Sequence, residues 1–287
     1  MAFGTFVKAA HGFPAGNVSA TTVAATFGSA VTAGNLLVAF VTSDNLGGPT
    51  GVSDSVNGAW TAASSNATWA VRGDIYFFKS TGAGTPVVTA TWGAAQSNRS
   101  IFVAEYTGAA DSTTPNDKNV GNGTATPTTT PTSTNVAPPT QNGELFFSGI
   151  YTPSNTVVIT AGASLPYTIR DTANDTFNNS VAIEDAIQVT AASIDAGYTL
   201  NQSLAYVCCL STFKAPATPN TVTIESSMDG TTWVTEGTVT NPTASPGATG
   251  QRINVKAVRF IRANVTSFSS GDITVELQSW NSGKAVN

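Results

Sequence analysis

The 287-residue sequence is poor in charge, in histidine and in sulfur, and each shortage removes a class of function. Asp, Glu, Lys and Arg make up 10% of the chain, against roughly 25% in ordinary soluble domains. With 12 Lys and Arg and a formal net charge of −5, no basic stripe is available to neutralise a run of phosphates, so nucleic-acid binding is not expected. The single histidine, His11, lies between Ala10 and Gly12 near an N-terminus read as mobile. It is therefore not expected to serve as the base of a Ser-His-acid relay. The two cysteines, Cys208 and Cys209, are adjacent. On a strand they point to opposite faces, which reads as two small apolar residues with one facing the core. No spaced Cys or His accompanies them to suggest redox or metal chemistry. No apolar run, 36–41 included, approaches the roughly 18 to 20 residues that span a bilayer, so no membrane segment is expected. The opening residues lack a basic leader followed by an apolar block, so no secretory signal is expected and the product is read as held in the cytosol until something releases it.

What the chain does contain is strand pattern. Helical periodicity is nearly absent, whereas short runs of Val, Ile, Thr, Phe and Tyr are bounded by Gly, Pro, Asn and Asp clusters. This reads as all-β, with strands near 21–27, 36–42, 60–64, 74–79, 87–92 and 100–106, then 145–151, 167–171, 180–189 and 204–213. The runs at 36–41 and 101–104 are apolar at every position, as in strands covered on both faces.

The two sets echo each other. Leu36 is matched by Leu145, Trp60 by Tyr167, Ile75 by Ala182 and Ile101 by Leu204, at separations of 109, 107, 107 and 103 residues. Between them lies a Thr/Pro-rich stretch, 111–142, read as an ordered connection over the outside of the domain with short edge strands near Val120 and Val136. Two four-stranded halves would close an eight-stranded jelly roll of two Greek keys. The expected organisation is a jelly-roll β-sandwich over 1–214, a stiff Pro-Ala-Thr linker over 215–220, and a small antiparallel β-sandwich over 221–287. In the last, Asp229-Gly230 supplies turn chemistry before Trp233, and strands are expected at 252–255, 260–265 and 273–277. So small a module gains stability from a neighbour or from oligomerisation.

Several segments also carry a resemblance. Ala33-Gly34-Asn35-Leu36-Leu37-Val38-Ala39, Ser55-Val56-Asn57-Gly58-Ala59-Trp60-Thr61, Ile75-Tyr76-Phe77-Phe78, Val87 to Trp92, Val103-Ala104-Glu105-Tyr106-Thr107-Gly108 and Asn142-Gly143-Glu144-Leu145, through to Tyr206, together resemble a β-sandwich domain of bacterial surface proteins and bacteriophage particles. The resemblance implies architecture and brings no catalytic signature. Val222 to Trp233, followed by Val255 to Ala263 with its Phe260-Ile261-Arg262, resembles a small module appended to phage head and tail proteins. It is similar in part to discoidin-like carbohydrate-binding sandwiches, whose bracketing disulfide it lacks.

Chemistry-bearing residues are few. A glycosidase needs two carboxylates across a cleft, and Asp44, Asp54, Glu105, Asp171, Asp175, Glu184 and Asp185 are the candidates. Glu184 and Asp185 should point to opposite faces of a strand, and Asp44 and Asp54 should bond their own turns. The loop 171–179 offers oxygen ligands for Ca²⁺ but lacks EF-hand order, and reads as solvated. Trp60, Trp92 and Trp233 are expected in the cores, while Trp69 and Trp280 are the candidate contacts for a glycan or a neighbouring subunit. No catalytic, cofactor-binding or metal residue is assigned, and no cofactor is expected. The expectation is a non-enzymatic bacteriophage virion protein, a capsid decoration (cement or head-fibre) protein assembled in the host cytoplasm. Its expected partners are the major capsid protein or other virion proteins and, by analogy, two further copies in a trimer. The alternatives are a tail or baseplate protein, or an extracellular adhesion module binding a host-surface glycan.

Overall fold

The computed structural model describes residues 3–14, 19–44, 47–68, 70–96, 98–108, 115–175, 179–215, 221–240 and 260–267. The chain divides into two compact units, Met1–Pro216 and Ala217–Asn287. No helix occurs among the described residues.

The first half of the larger unit contains β1 (Phe6–Gly12), β2 (Ala20–Thr26), β3 (Leu36–Asp44), β4 (Gly51–Asp54), β5 (Gly58–Ala59), β6 (Thr61–Thr68), β7 (Val71–Lys79), β8 (Val87–Gln96) and β9 (Arg99–Tyr106). The second half contains β10 (Asn116–Thr128), β11 (Glu144–Thr152), β12 (Ile159–Ala161), β13 (Thr168–Asn174), β14 (Ser180–Gln188), β15 (Tyr198–Leu200) and β16 (Leu204–Phe213). The smaller unit contributes β17 (Thr221–Ser227), β18 (Val234–Thr240) and β19 (Phe260–Ser267), paired in the order β18-β17-β19. The expected strands at 252–255 and 273–277 lie outside the described residues.

The duplication is written into the sheets. One inner sheet runs β1-β9-β3-β7-β6 and the other β10-β16-β11-β14-β13, the same order element for element. The pairings also correct the alignment of the repeat. Leu36 stands opposite Lys79 and Tyr106, and Leu145 opposite Ile187 and Phe213. Ile75 therefore corresponds to Ile183, and Ile101 to Cys208, four residues beyond Leu204. Hydrophobic character alone allowed the slip, because β16 is apolar at every position from Leu204 to Leu210.

The jelly-roll order is present, but it is distributed differently from the expected single eight-stranded sandwich. In the first half β1-β9-β3-β7 faces β2-β8-β4-β5, an eight-stranded jelly-roll order complete within one repeat, with β6 added at the edge. In the second half the outer layer shrinks to β12-β15, extended by bridges from Thr132 to Gly197 and Val136 to Ile194. The physical reason is the inner strands' two apolar faces. Leu36, Val38 and Phe40 enter a central core with Leu145, Phe147, Ile183 and Val207, while Leu37, Ala39 and Val41 enter an outer core under β2, β4 and β8. On the far side Phe146, Ile150, Cys208 and Leu210 are covered by the segments around Val136, Ile159 and Tyr198. A two-layer sandwich would leave one face of each inner sheet in water; four layers bury both.

The two inner sheets meet through a knob and a hole. Phe40 of β3 and its counterpart Gly149 of β11 touch across the central core, where a Cβ on Gly149 would lie inside the Phe40 ring. The Thr/Pro-rich connection is ordered where described. Thirteen residues of it form β10, which pairs with β16 at the sheet edge, and Val136 makes a bridge.

Candidate functional site

A buried polar cluster within the first half sits on the outer face of its inner sheet. Register places Lys8 of β1 and Leu37 of β3 on either side of Glu105 in β9, so Glu105 points with Leu37 toward the outer layer. Gly34 takes a φ of 89°, open to glycine at no cost, and turns the chain so that Asn35 arrives beside the carboxylate. Glu105 Oε1 accepts from Asn35 Nδ2 at 2.7 Å and from the Thr32 amide at 2.8 Å. Its Oε2 has Lys8 Nζ at 3.1 Å, close enough for an ion pair, yet it receives no aligned hydrogen bond. Lys8 Nζ donates to the Ser29 carbonyl at 2.9 Å, the Ser29 hydroxyl at 3.0 Å and the Ala30 carbonyl. Glu105 is fully buried and Asn35 is 8% exposed.

The second half repeats the position with other chemistry. Gly143, with a φ of 78°, precedes Glu144 as Gly34 precedes Asn35. Thr212 stands opposite Phe146 as Glu105 stands opposite Leu37, and its hydroxyl accepts from the Lys118 amide at 3.1 Å. Asp117, next along β10, accepts the Thr140 amide at 2.6 Å and has Lys214 Nζ at 3.5 Å. Burial pushes Glu144 up to about 7, opposed by the Thr212 hydroxyl and reinforced by the Asp117 charge. For Asp117 burial acts upward but is outweighed by bonds from Thr140, so its carboxyl is held below its ordinary value. Neither Glu144 oxygen has an aligned hydrogen bond.

Other candidate acids are taken up singly. His11 lies within β1, opposite Phe102 of β9, rather than in a mobile terminus. Its Nδ1 is 2.9 Å from Asp171 Oδ2 of β13, and its ring stacks on Phe102 at 5.1 Å. The Asp171 hydrogen bond raises its pKa against the opposing effect of burial. Asp44 accepts from the Tyr151 hydroxyl at 2.6 Å across the two halves and from Asn98 Nδ2. Asp54 ties its own turn, as expected, accepting the Val56 and Asn57 amides and also Trp60 Nε1 at 2.7 Å. Asp175 accepts the Asn179 amide at 2.8 Å.

Glu184 and Asp185 do face opposite ways. Asp185 receives a two-pronged Arg170 guanidinium at 2.8 Å on each oxygen. Glu184 faces the outer layer with no aligned partner, and burial pushes it up to about 9. Among the described residues, no group of three or more His, Cys, Asp or Glu is arranged to hold a metal ion. Residues 176–178 of the candidate cation loop lie outside them.

Trp60 and Trp92 are buried in the outer core of the first half, the latter with the Arg99 guanidinium 4.2 Å above its ring. Trp233 is half-buried rather than a core residue, with Arg262 at 4.1 Å over its ring. Trp69 and Trp280 lie outside the described residues. Cys208 and Cys209 are free thiols, and both are buried, one in the second half's outer core and one in the central core. In the smaller unit Asp229 accepts the Thr231 and Thr232 amides at 2.7 Å, the expected Asp-Gly turn. A shallow depression beside it is lined by Ser226, Ser227, Met228, Asp229, Thr232 and Val234. Sequence reading weighed Glu105 alone and missed its partners, because Lys8, Asn35 and Glu105 are far apart in the chain; the only local signal was a lysine interrupting a strand-like run. No protein-family profile matches this chain, and neither a curated protein nor a solved structure is found to match it.

Proposed function

We propose that this chain is a non-enzymatic structural protein of a bacteriophage particle, a capsid decoration protein of the cement or head-fibre kind that binds the capsid surface. The observation that carries the reading is the ordered likeness of residues 33–206 and 222–263 to β-sandwich modules of phage particles. The division into a large and a small compact unit suits one module that docks and one that projects. The uptake of the described acids into internal bonds or closed cores, rather than across an open groove, supports a scaffold role. The weakly charged surface suits packing against other protein, and a trimer is proposed by analogy with other β-sandwich virion proteins.

The test is co-sedimentation of the purified protein with particles assembled without it, together with mass spectrometry of intact virions. Binding in stoichiometric amount and recovery of its peptides from virions support the reading; absence from virions and no binding to head or tail structures remove it. Recovery from isolated tails rather than heads would move it to the tail or baseplate. The half-buried Trp233 under Arg262 favours a second reading, a surface module that binds a glycan. Glycan-array binding abolished by Trp233→Ala would support that reading instead.

A further inference from the structure

The geometry points to a covalent cross-link between the side chains of Lys8 and Asn35, formed by the protein itself with Glu105 as the proton carrier. This does not rest on the particle reading. One carboxylate holds the two reacting groups on its two oxygens: the carboxamide nitrogen of Asn35 at 2.7 Å from Oε1 and the amine of Lys8 at 3.1 Å from Oε2. The carboxylate is fully buried and Oε2 has no aligned hydrogen bond, so it is open to accept a proton. Asn35 is fixed by its backbone as well, its amide donating to Thr32 and its carbonyl accepting from Ser80 at 2.8 Å. Lys8 is fixed by its ladder position opposite Glu105.

The chemistry balances without an external reagent. Lys8 Nζ passes one proton to Glu105 Oε2, which turns a buried ion pair into two neutral groups and frees the nitrogen lone pair. Nζ then bonds to Cγ of Asn35 as the carbonyl π pair moves to Oδ1. Glu105 protonates Nδ2, the Cγ–Nδ2 bond breaks and ammonia leaves. The surplus proton on Nζ goes back to Glu105, whose carboxylate was restored when Nδ2 took its proton, and from there leaves with the ammonia as ammonium, while the new amide keeps one N–H. A primary amine and a primary amide have become a secondary amide and ammonia. Fixing amine, amide and proton carrier around one buried carboxylate supplies the proximity that such an aminolysis lacks in water, and the burial of Glu105 and Asn35 limits the water that would compete by hydrolysis. The product ties the edge strand β1 to the turn that leads into the central strand β3.

The second half is an internal control. By register Lys118 stands where Lys8 does, Thr212 where Glu105 does and Glu144 where Asn35 does, with no carboxylate in the proton carrier's place and no side-chain amide to be displaced, so at most one ammonia is expected to be lost.

The test is the intact mass of the full chain after folding, measured in denaturant, with peptide mapping. The expected result is a deficit of one ammonia, resistance to tryptic cleavage after Lys8, and a branched peptide joining the segments that contain Lys8 and Asn35. The deficit should vanish in Lys8→Arg, which keeps the cation, and in Glu105→Gln. A native chain of full mass, cleaved normally after Lys8, overturns the proposal and leaves a non-covalent ion pair. A deficit that persists in Lys8→Arg also overturns it, since the ammonia then comes from elsewhere. The native measurement decides the matter even where Glu105→Gln fails to fold.

Discussion

The two halves of the larger unit share one strand order and differ in how they treat buried charge. In the first, the carboxylate of Glu105 is met by Lys8, Asn35 and the Thr32 amide. In the second, Glu144 and Glu184 are buried with no aligned hydrogen bond, and burial pushes them to about 7 and about 9. Removing one partner of a paired buried charge strands the other, whereas an orphan buried acid is destabilising whenever the pH ionises it. The lesson is that duplication preserved the scaffold while the polar positions on it diverged, so substitutions of buried polar groups in the two halves should have opposite signs.

The largest effect should come from breaking the contact on which both halves depend. Phe40→Ala empties the hole above Gly149 and is expected to cost about 3–5 kcal/mol. Gly149→Val forces a side chain into the Phe40 ring, with a cost of about 1–3 kcal/mol or more. Both are read from chemical denaturation of the larger unit, and a loss below about 1 kcal/mol for Phe40→Ala would show that the sheets do not depend on this knob.

Next come the polar sites, where the halves should diverge. Lys8→Met leaves the buried Glu105 with the Asn35 and Thr32 donors but no cation, and should cost about 3 kcal/mol at neutral pH. Glu144→Gln should do the reverse. Its folded-state pKa is raised, so the unfolded chain ionises first and native stability falls as pH climbs from about 4.5 to about 7. The Gln variant should therefore match the native protein near pH 4 and be more stable by on the order of 2–3 kcal/mol at pH 8. Glu184→Gln should behave alike over a window that extends to about 9. Urea titrations at a series of pH values check all three, and an unchanged pH profile for Glu144→Gln would count against the orphan-acid account.

The smallest effect joins the halves. His11 gains Asp171 on folding and its pKa is raised, so the stabilisation is fully present below about 6.5 and is lost as pH rises through the folded value. The histidine side chain is 38% exposed, so solvent screening holds the contribution below about 1 kcal/mol. His11→Ala should lower the melting temperature at pH 5.5 and leave it nearly unchanged at pH 8.5. Chemical-shift titration of the imidazole gives the pKa directly.

How much was legible follows from which physical signal each element emits. The inner strands β3, β9, β11 and β16 announce themselves because burial on both faces demands apolar residues at nearly every position. The outer and edge strands do not. β1 reads Phe-Val-Lys-Ala-Ala-His-Gly, and its lysine and histidine are satisfied by partners far along the chain. β10 is rich in Asn, Gly and Thr, because an edge strand draws its order from the ladder to β16 rather than from its own burial. The Asp54 turn was readable from its local Asp-x-x-Asn spacing, and its capture of Trp60 Nε1 was not.

The sequence by itself determined the all-β class, the doubled strand pattern, and the segregation of apolar residues that any fold of this chain must bury. Those are consequences of period, composition and turn chemistry, which act over a few residues. Tertiary structure alone decided that the repeat makes four layers, that Phe40 meets its own counterpart Gly149, and that Lys8, Asn35 and Glu105 converge while Lys118, Thr212 and Glu144 occupy the matching place. These depend on register and on which faces close against each other, and a slip of one residue would turn every one of those side chains to the opposite face.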